Sequence, residues 1–431
     1  MGMNALRILD WHSEREKVCS EFNSPTYSPI SLHSLAKIVE LVPDHQIQDL
    51  ALKIEMKLWR EILGLYHPGL SVQCGPYSRA YRVDILGQNS QMRILFCYLG
   101  LSCDRSIVEL FDEKRKGVVF HHDNDIPFTW SGPAWQIANR YHIPEDALEE
   151  LKNRHFPSRF QAPIRWRQFG YIDPVSKKYI PVQGSLLPAG AAKIFQRQEP
   201  GYALGWRSET SFSHSFPILS HYALKPTVSS MEDVRHVISA TVLFGAPQEW
   251  IKDQTGKPME ASNFNNAGRV SVRESNGHLR FRAAAFTEFA PMPADEISIN
   301  TFIPVHFMAP GKITMNGALF SGEAVTLRGR EAVLRLEEAG FFCEIRYRFP
   351  KPVEFKVWRW ANFIRFAGFW YQGATREFTP EFLASCRMNG EFMSSVLPMR
   401  SEVKTKSTLP AAQRESGLLT SPAGRRTGGR H

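Results

Sequence analysis

Cysteine is scarce. Six occur in 431 residues, at Cys19, Cys74, Cys97, Cys103, Cys343 and Cys386. None sits in a CxxC pair or at a zinc spacing, which argues against a thiolate metal centre. They are too few to staple a chain of this size. No apolar run approaches the ~18 residues that a membrane-spanning helix needs. The start, Met1-Gly2-Met3-Asn4, has no basic segment leading into an apolar one. A signal peptide is therefore not expected, and a cytoplasmic location is. No internal repeat of fixed short period is seen. Paired carboxylates at a hydrolase-like spacing are also missing. Glu21, Asp84, Asp123 and Asp125 are the available acids, and nothing in the sequence pairs them. The cluster His121-His122-Asp123-Asn124-Asp125 packs its ligands side by side in one loop. Such a loop makes a poor metal cage, so neither a metal nor a cofactor is expected.

What is present is an ordinary soluble composition with a basic end. The apolar fraction is 43% and the charged fraction 22%, which suits a globular chain long enough for two domains. The formal charge of +9 is uneven. From Arg400 onward there are seven basic and two acidic residues, so the tail holds +5 and the rest +4. A mild excess over a large body fits an anionic substrate and does not require one. Aromatic residues are plentiful, at 12%, as in sugar-binding clefts and in large cores alike.

The apolar period divides the chain. Up to residue 155 it is helical. Leu32, Leu35, Ile38, Val39 and Val42 follow Ser31, and Ile47, Leu50, Ile54, Leu58 and Ile62 follow Pro43-Asp44. Further helices are expected over Tyr81–Gly100, Arg105–Lys114, Ala134–Tyr141 and Pro144–Asn153. Near Phe156-Pro157 the period becomes two. Short segments rich in Val, Ile, Phe, Tyr and Trp then recur between Gly and Pro turns, as in antiparallel sheets. A last helix is expected from Thr379 to Ser395, with Pro380 in its first turn. The expected domains are thus a helical 1–155, a large antiparallel β-sandwich over 156–378, a C-terminal helix over 379–398 and a disordered basic tail over 399–431.

Two polar-aromatic motifs stand out. The first is Glu21-Phe22-Asn23-Ser24-Pro25-Thr26-Tyr27. The second is His67-Pro68-Gly69-Leu70 with Cys74-Gly75-Pro76-Tyr77-Ser78-Arg79-Ala80-Tyr81. Each lies at a break beside a helix. Elimination from a uronic acid needs its carboxylate neutralised and the neighbouring proton removed. Asn, His or Arg serves the first need and Tyr the second. Asn23, His67 and Arg79, with a tyrosine at 27, 77 or 81, form such a set. Arg79 would grip a carboxylate with two parallel hydrogen bonds. The catalytic candidates are Asn23, Tyr27, His67, Arg79 and Tyr81. Tyr77, Trp206, Glu209 and His214 are the candidate substrate contacts.

The run Glu21 to Tyr27 and the run Gly75 to Tyr81 resemble two motifs of a family described as six-hairpin-glycosidase-like or heparinase-like. The similarity extends over most of residues 5 to 395. It implies an α/α toroid of helical hairpins followed by a β-sandwich that lends a residue to the cleft. About seven helices are read ahead of the strands, fewer than six hairpins require, so the chain resembles a member that begins part-way round its toroid. The implied activity is that of a polysaccharide lyase on an acidic oligo- or polysaccharide. A six-hairpin glycoside hydrolase and a non-catalytic carbohydrate-binding remnant are the alternatives.

Overall fold

The period change near residue 156 coincides with the first long strand in a computed structural model of the chain. The structure describes residues 2–16, 18, 23–78, 91–101, 119–120, 138–166, 170–172, 179–181, 190–210, 216–245, 251–253, 258–259, 266–287, 293–305, 310–360 and 363–397. Six α-helices lie among them: α1 (Gly2–Glu16), α2 (Tyr27–Leu41), α3 (His45–Leu65), α4 (Gln91–Tyr98), α5 (Glu145–Lys152) and α6 (Pro380–Ser385). Asp44 caps α3 by accepting from the Gln46 and Ile47 amides, at 2.9 and 3.4 Å.

No toroid is formed among the described residues. A toroid passes each helical hairpin to the next around a ring. Here α3 is a hub, and α1, α2 and α5 all pack on it. Its apolar stripe, including Ala51, Leu58, Trp59 and Ile62, is covered by Leu6, Leu32, Leu35 and Leu151. Helices α4 and α5 have eight residues each, too short to form a wall. Amphipathic periodicity gives a helix its buried face but does not name what covers it. The fold expected from the resemblance, and with it the toroid, six-hairpin and heparinase-like descriptions of the architecture, is overturned by this arrangement. The helix expected over 134–141 is not seen at its described end, since residues 139–144 are irregular. The C-terminal helix is also corrected. Thr379 caps it as expected, with its hydroxyl accepting from the Phe382 amide, but α6 stops at Ser385. Residues Arg387–Val396 then form a strand buried on alternate positions. Residues 79–90 and 102–118, which hold part or all of two expected helices, lie outside the described residues, as does the tail from 398.

The dominant element is one antiparallel sheet of fourteen strands. In chain order they are β1 (Ser158–Trp166), β2 (Gly190–Glu199), β3 (Tyr202–Arg207), β4 (Ile218–Ala223), β5 (Val234–Phe244), β6 (Gly268–Ser275), β7 (His278–Ala285), β8 (Pro293–Pro304), β9 (Lys312–Met315), β10 (Ala318–Leu319), β11 (Val325–Glu338), β12 (Phe341–Trp360), β13 (Phe363–Glu377) and β14 (Arg387–Val396). Their spatial order is β6-β7-β14-β12-β13-β8-β5-β4-β3-β2-β1, with β11 on β12 and β9 between β11 and β10.

The sheet folds over at β12. Its first half, Phe341–Arg348, pairs with β14, and its last part, Glu354–Trp360, pairs with β13. Pro350 and Pro352 lie between the two. Proline has no N–H for a ladder, so strand pairing breaks there. The partner strand β11 shifts register at the same level, between Gly329 and Glu331. Two layers result, and their inner faces share one core. Tyr347 of one stacks on Phe366 of the other at 4.7 Å, and Phe341 stacks on Tyr222 at 3.8 Å. The far edge closes too: Thr210 and Val272 donate backbone bonds to Val270 and Ser208, tying β6 to the chain after β3.

Candidate functional site

The motif residues come together in part, at the seam between α3 and the sheet. Asn23 is fully buried in a left-handed conformation, with φ 50°. Its side-chain amide donates to the Cys74 and Pro76 carbonyls at 2.7 and 2.9 Å, and its oxygen accepts from Gln73. Its backbone N–H donates to Glu61 at 2.7 Å. His67 is also fully buried. Its Nδ1 accepts from the Leu70 amide at 3.0 Å, so Nε2 carries the proton and donates to the Glu199 carbonyl at 2.8 Å. Burial pushes its pKa down to about 4. Both nitrogens are spent on backbone groups, which leaves none to take a substrate proton. Arg154 completes the seam by donating to the Leu63, Gly64 and Tyr66 carbonyls at the end of α3, where a cation is favoured. Gln196 reaches across from β2 to the Cys74 and Gly75 carbonyls at 2.9 and 2.8 Å.

The other candidates are dispersed. Tyr27 is the first residue of α2, its amide donating to Ser24 Oγ at 3.0 Å. Tyr77 is buried and donates to the Gln73 carbonyl at 2.5 Å. Trp206 is buried and stacked on Phe195 at 5.2 Å. Glu209 is exposed, and its backbone bridges to Ser271 of β6. Arg79, Tyr81 and His214 lie outside the described residues, as do Glu21, Asp84, His121, His122, Asp123 and Asp125. Among the described residues no group of three or more His, Cys, Asp or Glu side chains could hold a metal ion.

A different region carries exposed, convergent charge. It is the outer face of β6, β7, β14 and β12. The Asn276-Gly277 turn joins β6 and β7, with φ 52° and 77°, as a two-residue hairpin of this twist requires. That turn fixes the register. Ser271, Arg282, Asn389 and Arg348 form one row across the four strands, and Arg273, Arg280, Glu391 and Arg346 form the next. Arg269 and Arg387 flank Ala284 in a third. The intervening residues, including Val270, Val272, Leu279 and Phe281, enter the core. Two adjoining troughs, of about 510 and 810 Å³, share Ser271, Arg282, Arg348 and Asn389.

Charge is split across this face. On the β12 side every arginine is paired. Arg346 meets Glu344 at 2.9 Å and Glu331 at 3.4 Å, and Arg348 meets Glu331 at 2.6 Å and Glu391 at 3.4 Å. Burial pushes the Glu344 carboxyl up, and hydrogen bonds from Arg346 and Arg335 outweigh it, holding Glu344 below the usual range. On the β6–β7 side, Arg273 and Arg282 meet no carboxylate among the described residues, and Arg280 approaches Glu391 only at 3.9 Å. Free guanidiniums in an open trough can take carboxylate or sulfate groups through two parallel bonds. The sequence does carry a signal for this face. Arg269, Ser271 and Arg273 alternate with valines, Arg280 brackets Phe281 with Arg282, and Arg346 brackets Tyr347 with Arg348. Cationic and polar residues at every second position of three strands fall on one face.

A family model described as a domain of unknown function, DUF8769, matches residues 2–130. That stretch holds the helices α1 to α4 and the seam motifs, and ends before the sheet. No curated protein and no solved structure matches the chain.

Proposed function

We propose that the protein binds an acidic oligo- or polysaccharide on the outer face of β6, β7 and β14 without cleaving it. The observation that carries this reading is the pair Arg273 and Arg282, exposed in the trough with no carboxylate partner among the described residues. A cation held so on a rigid strand meets an anion with little ordering cost. The aromatic residues that line the trough, Phe281 and Phe349, are turned into the core, at 2% and 5% exposure. Single-stranded nucleic acid is gripped by stacking its bases on exposed aromatic rings. A sugar acid needs only the guanidiniums and the neutral Ser271 and Asn389 beside them.

The test compares polygalacturonate with its methyl ester and with single-stranded DNA, at several salt concentrations. Polygalacturonate is expected to bind, to weaken with salt, and to be recovered at its original chain length. The ester, lacking the charge, is expected not to bind. Equal affinity for DNA and for the uronate would overturn the reading. So would shortened chains, which would make the protein an enzyme.

A further inference from the structure

We infer that Glu391 sets the boundary of this anion site, confining an acidic ligand to a diagonal strip that runs from Arg273 through Arg282 to Arg387. The inference rests on the glycan-binding reading above. Arg273 stands opposite Arg280, and Arg282 stands opposite Asn389. Arg273 and Arg282 are therefore diagonal neighbours, and so are Arg282 and Arg387. Diagonal neighbours in an antiparallel pair lie about 7–8 Å apart, so the strip offers three cations over roughly 15 Å. Arg280 and Arg269 flank it, Arg269 lying over the Phe286 ring at 5.8 Å.

Glu391 lies on β14, beside the strip. Its carboxylate is 3.9 Å from Arg280, 3.9 Å from Arg346 and 3.4 Å from Arg348. It is half-buried, with 26% of its side chain exposed. An acidic chain that left the diagonal and followed the row of Arg273 and Arg280 toward β12 would have to pass this carboxylate, which stands opposite Arg280 and ahead of Arg346. It would then meet two arginines already held by Glu331 and Glu344. Like charge on the path and occupied partners beyond it both stop the ligand there, a repulsive element that sets ligand length. The geometry assigns Glu391 the role of a specificity residue.

Affinity is measured for a size series of oligogalacturonates on the full chain, with thermal melts of every variant. In the wild type, affinity is expected to rise with length and then level off. Glu391→Gln keeps the shape and removes the charge. It is expected to move the plateau to longer oligomers and to raise the affinity for the longest about tenfold. The double variant E391Q/R346Q should return the plateau toward the wild-type length. In the wild-type background Arg346→Gln should leave affinity within twofold, while Arg282→Gln should lower it tenfold or more. A plateau that E391Q does not move, with wild-type binding intact, overturns the boundary alone. Equal losses from Arg346→Gln and Arg282→Gln overturn it as well, and do not depend on E391Q folding. If no oligomer binds the wild type, the glycan-binding reading itself fails and the boundary with it.

Discussion

The seam and the trough are both polar, and they use polar groups in opposite ways. At the seam, Asn23, His67, Arg154 and Gln196 spend their hydrogen bonds on backbone groups of neighbouring elements. At the trough, Arg273 and Arg282 hold their bonds in reserve. The seam is built of residues crowded into two short motifs. The trough is built of residues spread over four strands and more than a hundred positions. Dense motifs here mark a junction that must be made once during folding. The surface fit for a ligand leaves only an alternation of arginines. Buried polar groups need partners or they destabilise the fold, whereas exposed cations do not.

The strongest way to break the comparison is to open the seam. Gly205 of β3 lies against the Gly75 backbone, and a Cβ there would come within 2.0 Å of the Gly75 carbonyl oxygen. A carbonyl oxygen cannot yield as a flexible side chain can. Gly205→Ala is expected to cost more than about 4 kcal/mol, in the range reserved for mutations with a named structural cause. Urea melts measure this, and a wild-type midpoint would show that the seam is looser than its contacts.

Acid should have the next largest effect, again at the seam. His67 is held neutral in the folded protein, with a pKa of about 4 against 6.5 for an ordinary imidazole. Between those values the unfolded chain binds more protons, so stability falls as the pH drops from about 6.5 to about 4. The loss from this one group is about 3 kcal/mol, and none follows from it below that range. His221, buried and donated to by the Gly75 amide at 2.7 Å, is pushed in the same direction by burial. Urea midpoints at pH 7 and pH 4.5 check the sign. A flat profile would mean that His67 gains a proton without leaving its place.

Much of this was legible beforehand, and the gaps have physical causes. The apolar stripe of Leu32, Leu35, Ile38 and Val39 and the helix break at Pro43-Asp44 follow from side-chain chemistry within a few residues, although the first of these helices begins at Tyr27, ahead of Ser31. The hub arrangement around α3 does not, because periodicity says that a stripe is buried and not against what. The strand at Arg387–Val396 was hidden by a strong cap signal at Thr379 and Pro380, which sets where a helix starts and not how long it runs. Asn23 and His67 were legible as polar residues of two motifs, and Asn23 does bond the second motif at Cys74 and Pro76. Their roles were not, since an Asn that joins two loops and an Asn that neutralises a carboxylate look alike in sequence. The trough was missed because its residues converge through register, which only strand pairing reveals.

Arg282→Gln sharpens the comparison from the other side. The side chain has no carboxylate partner to strand among the described residues, so stability should change by less than about 0.5 kcal/mol. Binding of polygalacturonate should weaken by about 1.5–3 kcal/mol, the worth of a hydrogen bond to a charged group. A melt that falls while binding holds would place Arg282 with the structural residues and erase the contrast with the seam.

The smallest expected effect concerns the tail. Residues 401–431 hold six of the seven basic residues from Arg400 onward and show no apolar periodicity in sequence. A segment without an apolar stripe has nothing to bury against the sheet. Its removal is therefore expected to shift the melting temperature by no more than ~1 °C, well under the few degrees that 1 kcal/mol produces in a chain of this size. Binding to polygalacturonate separates two sources of positive charge. Cations on a pleated face keep fixed spacings, while a chain without a core presents its charges at no fixed distance. If the trough is the site, the truncated protein keeps its affinity and the plateau length of its oligogalacturonate series. If affinity collapses on truncation while Arg282→Gln leaves it intact, the tail is the polyanion site. The arginine rows of β6 and β7 would then be no more than a solvated surface.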